Sequence, residues 1–480
     1  MAPPVVTVFG TANFANAARV MACLEEVGVE YEVVEVDYMA KEHKGAEHLA
    51  RNPFGQIPAF QDGDIKLFES RAIAKYVLRK YSKPAQVDLL REGNPEEAAM
   101  VDVWTEVEAH TYFPAIAPIF YECVVYPAKH GIPTNQKVVD ESLEKLKKVL
   151  DVYEAHLSRS KYLYLAGDFF SFADLNHFPF TFHVMTTPHA SLFDSYPHVK
   201  AWWERVMARP SLKKISPDMR NHPALGSNTD GAVYSNKFAG LGHTAGAITC
   251  AEQAKMAPVK VFGSAVFANA ARVMACLEEV GVEYEVVEVD YTAKEHKGPQ
   301  HLSKNPFGQI PAFQDGDTML FAIAKYVLRK YSKSAQVDLL REGNPEEAAM
   351  VDVWTEVEAH TYLPAIAPIF YECVVYPARL GTSPNQKVVE ESLEKLKKVF
   401  DVYEAHLSKN KYLYLAGDFF SFADLNHFPY TFYFMTNVSC VSLGLVPQRE
   451  GVVGAPDGTA VGEEDQRRYG AQGLIWYYKR

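Results

Sequence analysis

The chain has 480 residues, which at roughly 100 to 200 per domain implies three or four folded domains. With 48% hydrophobic and 22% charged residues it is ordinary globular material, which excludes a disordered, collagen-like or coiled-coil chain. A formal net charge of −12 repels phosphate backbones and anionic bilayers, so neither nucleic acid nor membrane is expected as a partner.

The opening MAPPVVTVFG has no basic stretch followed by a long apolar run, and no run of 18 uncharged apolar residues occurs, so a cytosolic protein is expected. Residues 5–9 (VVTVF) read as a strand ended by Gly10. Ala17, Val20, Met21, Leu24 and Val27 then recur at spacings of three and four, a helix over 17–27 closed by Gly28. A β-branched run at 31–37 completes a βαβ unit with a parallel strand pair. Two short strands follow around Asp62-Gly63, the dipeptide a type I′ hairpin turn prefers. Ser70 can cap the next helix, 71–81.

From Pro95 onward the pattern is helical. Met100, Val103, Trp104, Val107 and Thr111 form one apolar face, and Leu143, Leu146, Leu150, Tyr153 and Leu157 another. Glu141 with Lys145 and Glu144 with Lys148 have the favourable i,i+4 spacing. Ser171-Phe172-Ala173-Asp174 has the form of a capping box with Asp in place of Glu. The fold class is therefore α+β, a small α/β domain followed by an all-helical one.

This unit occurs twice. ARVMACLEEVGVEYEVVEVDY stands at 18–38 and 271–291, and VDLLREGNPEEAAMVDVWTEVEAHTY at 87–112 and 337–362. The offset is 253 up to Phe68 and 250 from Ala72, because LFESRAIAKY in the first copy is LFAIAKY in the second. Glu69-Ser70-Arg71 thus has no counterpart. The two copies diverge abruptly after Thr186 and Thr436. The expected boundaries are 1–82 and 90–220 for the domains of copy one, and 221–257 for a linker rich in Gly, Ala, Ser and Asn. They are 258–332 and 340–436 for copy two, and 437–480 for an unrelated tail. The linker ends in Met256-Ala257-Pro258, an echo of Met1-Ala2-Pro3 that two joined neighbouring genes would leave.

The runs EHK at 42–44, RNPFGQIPAFQDGD at 51–64, LFESRAIAKYVLRKY at 67–81 and AGDFFSFADLNHFP at 166–179 resemble those of plant phi-class glutathione transferases. The resemblance implies a thioredoxin-like domain, an all-helical domain, a homodimer or here an intramolecular pseudo-dimer, and conjugation of glutathione to small apolar electrophiles. Glutathione would be the co-substrate, with no further cofactor and no metal. It carries two carboxylates, an amine and a thiol, so its site needs donors at both ends and a thiolate stabiliser between them. The resemblance assigns Glu69 and Ser70 to the γ-glutamyl end, where a helix N-terminus favours a carboxylate and Glu69 can meet the amine. It assigns Gln56 to the same carboxylate and Ile57 with a cis Pro58 to the cysteinyl backbone. His43 and Lys44 fall to the glycyl carboxylate, and Arg71 is expected at an interface or in a structural ion pair.

The family's thiol-activating serine is missing. GTANFANAAR at 10–19 places Phe14 there, and GSAVFANAAR at 263–272 places Phe267. Thr11, Asn13 and Asn16 are the candidate substitute donors. An ordinary cysteine thiol titrates near ~8.5, so without a donor most of the thiol stays protonated at neutral pH. Losing one donor to a developing anion typically costs about 10²- to 10³-fold in rate. Cys23 and His177 read as packing, and Phe113, Phe120 and Tyr121 as walls of an apolar pocket or as core. The leading expectation is an active site in copy one only, with weak turnover. The alternative is a non-catalytic protein that holds glutathione conjugates or apolar molecules. Copy two keeps His296, Lys297, Gln309 and Pro311 but starts its helix at Ala322, without the γ-glutamyl end.

Overall fold

A computed structural model of the chain describes residues 6–83, 86, 88–160, 162–220, 259–335, 337–377 and 381–436. The linker at 221–257 and the tail at 437–480 lie outside the described residues, apart from what their sequence shows.

In copy one, β1 (Val6–Phe9), α1 (Ala15–Val27) and β2 (Tyr31–Val34) form the βαβ unit, with Val6 opposite Tyr31 and Phe9 opposite Val34 in a parallel pair. Gly28 closes α1 at φ 68°, a backbone conformation that costs other residues energy. After the short α2 (Ala46–Leu49), β3 (Ala59–Asp62) and β4 (Ile65–Leu67) complete a four-stranded sheet ordered β2-β1-β3-β4. The hairpin turn differs from the expected type I′. Asp62 pairs with Ile65 inside the ladder, and only Gly63 of the two loop residues takes positive φ.

The helix α3 (Ser70–Tyr81) crosses the sheet beside α1. Its cap is not Ser70: Glu69 occupies that position without a side-chain cap, and Ser70 is already the first helical residue. The helical domain runs through α4 (Pro95–Val107), α5 (Phe113–Phe120), α6 (Tyr126–His130), α7 (Gln136–Ser160), α8 (Phe172–Met185), α9 (Pro197–Met207) and α10 (Pro210–Arg220). Asn94 caps α4 by accepting from the N–H groups of Glu96 and Glu97, and α4 passes into α5 through a widened π-type turn, Glu108–Tyr112. The capping box at Ser171 and Asp174 forms as its spacing predicts. The surface pairs on α7 do not: the bonded partners are Glu144 with Lys147 and Lys137 with Glu141.

The core of the helical domain is built on α8, whose Asp174 accepts from the Trp202 indole at 2.8 Å and whose His177 is held between Tyr153 and the Ala173 carbonyl. His177 and Cys23 are fully buried packing groups, in keeping with their sequence reading.

Copy two repeats the sheet and most of the helices, ending with Phe422–Thr436, the counterpart of α8. Its third helix is Ala324–Ala335, so the missing Glu-Ser-Arg segment removes the first helical turn as well, and the start falls at Ala324 rather than Ala322. The two copies face each other through α3 and α4 of copy one and the helices 324–335 and 345–357 of copy two. The charge contacts are reciprocal. Arg79 binds Asp352 at 2.6 Å and reaches Glu342, while Arg329 binds Asp102 and reaches Glu92. Lys80 faces Glu346 and Lys330 faces Glu96. His110 and His360 stack at 5.6 Å near the centre.

Taking one partner from a buried charge cluster typically costs about 3 to 5 kcal/mol, because the remaining charges stay buried. Arg329→Met is expected to lower unfolding stability by that order in urea titration, whereas Lys137→Met, in an exposed pair, should leave the midpoint unmoved. Equal shifts in the two variants would mean that the copies are not held by this cluster.

Candidate functional site

The residues singled out in copy one gather at one end of the sheet, around the exit of β1 and the entry of β3. Gly10, at φ 130°, lies directly against the Ile57 side chain, where a Cβ would collide, and beside the Pro58 backbone. Gly55, at φ 58°, does the same against the His43 carbonyl and the Lys44 side chain. These two close approaches bring the loop 10–14, the Gln56-Ile57-Pro58 segment and the His43-Lys44 turn together. The Ile57–Pro58 bond is cis, as is Ile310–Pro311 in copy two.

Within this frame, His43 is buried and stacked on Tyr38 at 4.5 Å with rings nearly parallel, and Tyr38 in turn meets Phe14 at 6.2 Å. Burial and the neighbouring Lys44, His48 and Lys41 lower the His43 pKa, so the ring is neutral at neutral pH. Its Nδ1 is buried without a partner. Lys44 donates to the Phe54 carbonyl at 3.0 Å. Gln56 has an exposed side chain, while its carbonyl is fixed by His48 and by Asn52 at 2.9 Å.

Ser70 is buried, and its hydroxyl accepts from the Arg19 guanidinium at 2.7 Å. The same Arg19 nitrogen donates to Asn16 Oδ1 at 2.7 Å. Arg19 was not among the sequence candidates, yet it ties the start of α1 to the start of α3. Its signal is a charged residue within the apolar stretch AARVMACL. Glu69 adopts φ 64°, unusual for a non-glycine residue, and its Oε1 is buried without a partner. Arg71 points away from this cleft: it binds Glu108 at 2.6 Å, and across the interface it lies 3.0 Å from His360 and 3.7 Å from Glu356. That is the interface and ion-pair role its sequence context suggests.

Phe14 is half-buried at the N-cap of α1, and its N–H donates to the Thr11 carbonyl. Of the substitute donors, Asn16 is engaged by Arg19, Thr11 is half-buried, and Asn13 has a buried Oδ1 with no partner. Phe113 packs on Phe180 and Phe120 on His183, both facing the core, while Tyr121 is exposed and meets Tyr126. In copy two the counterparts of all three, Leu363, Phe370 and Tyr371, line one cavity with Phe267, Gln309 and Pro311.

The family model "Glutathione S-transferase, N-terminal domain" matches residues 4–79 and 257–329, and "Glutathione S-transferase, C-terminal domain" matches 112–210 and 362–446. The chain belongs to the glutathione S-transferase family. Probable glutathione S-transferase GSTF1 of Oryza sativa subsp. japonica is 73% identical over 214 residues, 45% of this chain and 96% of that protein. Glutathione S-transferase 1 of Triticum aestivum is 56% identical over 226 residues, 46% of this chain and 98% of that protein. A solved structure of glutathione S-transferase I from maize, in complex with an atrazine glutathione conjugate, is 55% identical. It covers 46% of this chain and 99% of the maize chain at a TM-score of 0.43. Within the family these relatives are plant phi-class transferases, and the chain is two tandem copies of that class, the second incomplete. Among the described residues no helix is long and apolar enough to cross a membrane, and no three His, Cys, Asp or Glu residues form a metal-binding group.

The buried Glu69 carboxyl gives a pH signature. Burial, then Glu356, raise its pKa from 4.5 to about 7, against the pull of Arg71 and Arg19. Between those values the folded chain keeps a proton that the unfolded chain has released, so stability falls as pH rises through this window and levels off above it. Glu69→Gln is expected to flatten that slope and to exceed the parent at pH ~8 by roughly 3 kcal/mol, read from urea midpoints at several pH values. A slope left unchanged would show that Glu69 ionises normally in the folded protein.

Proposed function

We propose that copy one alone binds glutathione and transfers it to small apolar electrophiles, with a weakly activated thiol, in the detoxifying role of its relatives. The observations that support this are the close approaches that hold the Gln56-Ile57-Pro58 segment to the loop at Gly10 and to the His43-Lys44 turn, and the Arg19 bonds that tie Ser70, next to Glu69, to the start of α1. The buried, unpartnered oxygen of Glu69 suits the ligand amine, and the neutral His43 beside Lys44 suits the glycyl carboxylate. Glutathione is the co-substrate, and no resident cofactor enters the reaction. The cytosol is the proposed compartment. The reciprocal contacts between copies take the place of a homodimer interface, so the chain works as an internal pseudo-dimer with one glutathione site.

Phe14 sets the rate. A phenyl ring offers no hydrogen bond to the sulfur, so the electrophile is attacked only by the small fraction of thiolate present at neutral pH. Copy two lacks the carboxylate receptor altogether, and a second reading rests on that: the chain retains ligands more than it turns them over, since Phe267 lines an open cavity there.

Phe14→Ser is expected to raise turnover with a general aromatic electrophile by up to about 10²-fold, measured by conjugate absorbance at fixed glutathione. No gain, with glutathione binding intact, would show that another group already serves the thiol. Glu69→Ala and Ser70→Ala should each weaken glutathione binding by about 1 to 3 kcal/mol, the cost of leaving a charged group unpaired. Titration calorimetry that finds both variants at parental affinity would place the tripeptide elsewhere.

A further inference from the structure

The two halves of the copy interface share their reciprocal arginine–carboxylate pairs and differ where Glu69-Ser70-Arg71 stands in one copy only. On one side Arg71 joins Glu108 of its own copy to Glu356 and His360 of the other. On the opposite side the equivalent carboxylates are Glu358 and Glu106, and no arginine stands between them because Glu69-Ser70-Arg71 has no second copy. Glu106 is left with His110 at 3.1 Å, and Glu358 with Arg272 at 3.0 Å and Asn426 at 2.8 Å. Glu358 is fully buried and its pKa is raised by burial, whereas its counterpart Glu108 has a lowered pKa because Arg71 and Arg19 outweigh burial. The missing turn also leaves space. A cavity of about 610 Å³ opens between the copies, with Glu106, His110 and Glu358 among its polar lining and Phe267, Phe321 and Tyr430 among its aromatic lining. Small-molecule sites typically occupy about 300 to 1,000 Å³. On the intact side the corresponding Phe68 is instead packed edge-on against Trp354 across the interface.

The charges in the cavity select the ligand. Arg71, which also lines the cavity, is taken by Glu108 and Glu356, Lys325 by Asp352 at 2.7 Å, and Arg272 by Glu358, so none of the three is a free anion receptor. What this half lacks relative to the other is one planar cation. We propose that the cavity binds an aromatic amidinium or guanidinium, its cation between Glu358 and Glu106 in the place an arginine takes in the other half, and its ring against Phe267, Phe321 and Tyr430. Planar, forked donors match carboxylates in pairs, which a simple ammonium does not.

Calorimetric titration of the full-length chain with benzamidine, beside benzoate as an anion of the same shape, tests this. One benzamidine site per chain is expected, at least about tenfold tighter than benzoate, and weakened about tenfold or more by Glu358→Gln and by Glu106→Gln. Inserting Glu-Ser-Arg between Phe321 and Ala322 restores the arginine and should abolish binding, while glutathione affinity in copy one stays as it was. If one variant does not fold, the other two still decide. Benzoate binding as tightly as benzamidine, absence of benzamidine binding, or benzamidine retained after the insertion would each overturn the proposal.

Discussion

A single buried carboxylate organises copy one. Glu108 sits at the first residue of the widened turn between α4 and α5, with no exposure to solvent, and a charge in that position must be paired. Its partners come from three other helices: Arg71 of α3 at 2.6 Å, Asn176 of α8 at 2.7 Å and Arg19 of α1 at 3.4 Å. The carboxylate therefore fixes the α/β domain against the helical domain. The same arrangement orients the cleft, because Arg19 also grips Ser70 and because Arg71 belongs to the turn that presents Glu69 and Ser70. Arg19 pays for its complete burial with a pKa lowered to about 10, which still leaves it charged.

Much of this architecture is legible in the sequence. Apolar periodicity places α1 within two residues and marks the body of α7, the β-branched runs mark the first strands, and the repeat with its internal gap is visible by eye. What the sequence does not disclose is long-range pairing. Ser70 has the residue type of a cap, yet a guanidinium 51 positions away claims its hydroxyl. Glu108 and Asn176 look like ordinary helix-surface polar residues until the fold brings them together 68 positions apart. The strand at 31–37 ends at Val34 because only β1 is available to pair with it there. The charge pairs on α7 shift by one spacing because long flexible side chains on an exposed face have several nearly equal partners.

The aromatic contacts of Phe14 give its substitution a structural context. With Tyr38 and His43 it forms a row of rings along the rim of the cleft, and Phe267, Tyr291 and His296 repeat the row in copy two. A phenyl group at this position thus contributes packing where a hydroxyl would contribute polarity. The neutral state of His43 fits the same row, since a stacked and buried imidazole resists protonation.

The reciprocal ion pairs between the copies have an evolutionary reading. In a dimer of identical chains every interface substitution occurs twice, once on each side of the two-fold axis, and so is tested as a pair. Here Arg79 with Asp352 and Arg329 with Asp102 are encoded separately, although they are equivalent in space. A mutation meets selection at only one of the two sites. One half can then drift, even to the loss of its own Glu-Ser-Arg turn, while it still supplies the surface against which its sister folds.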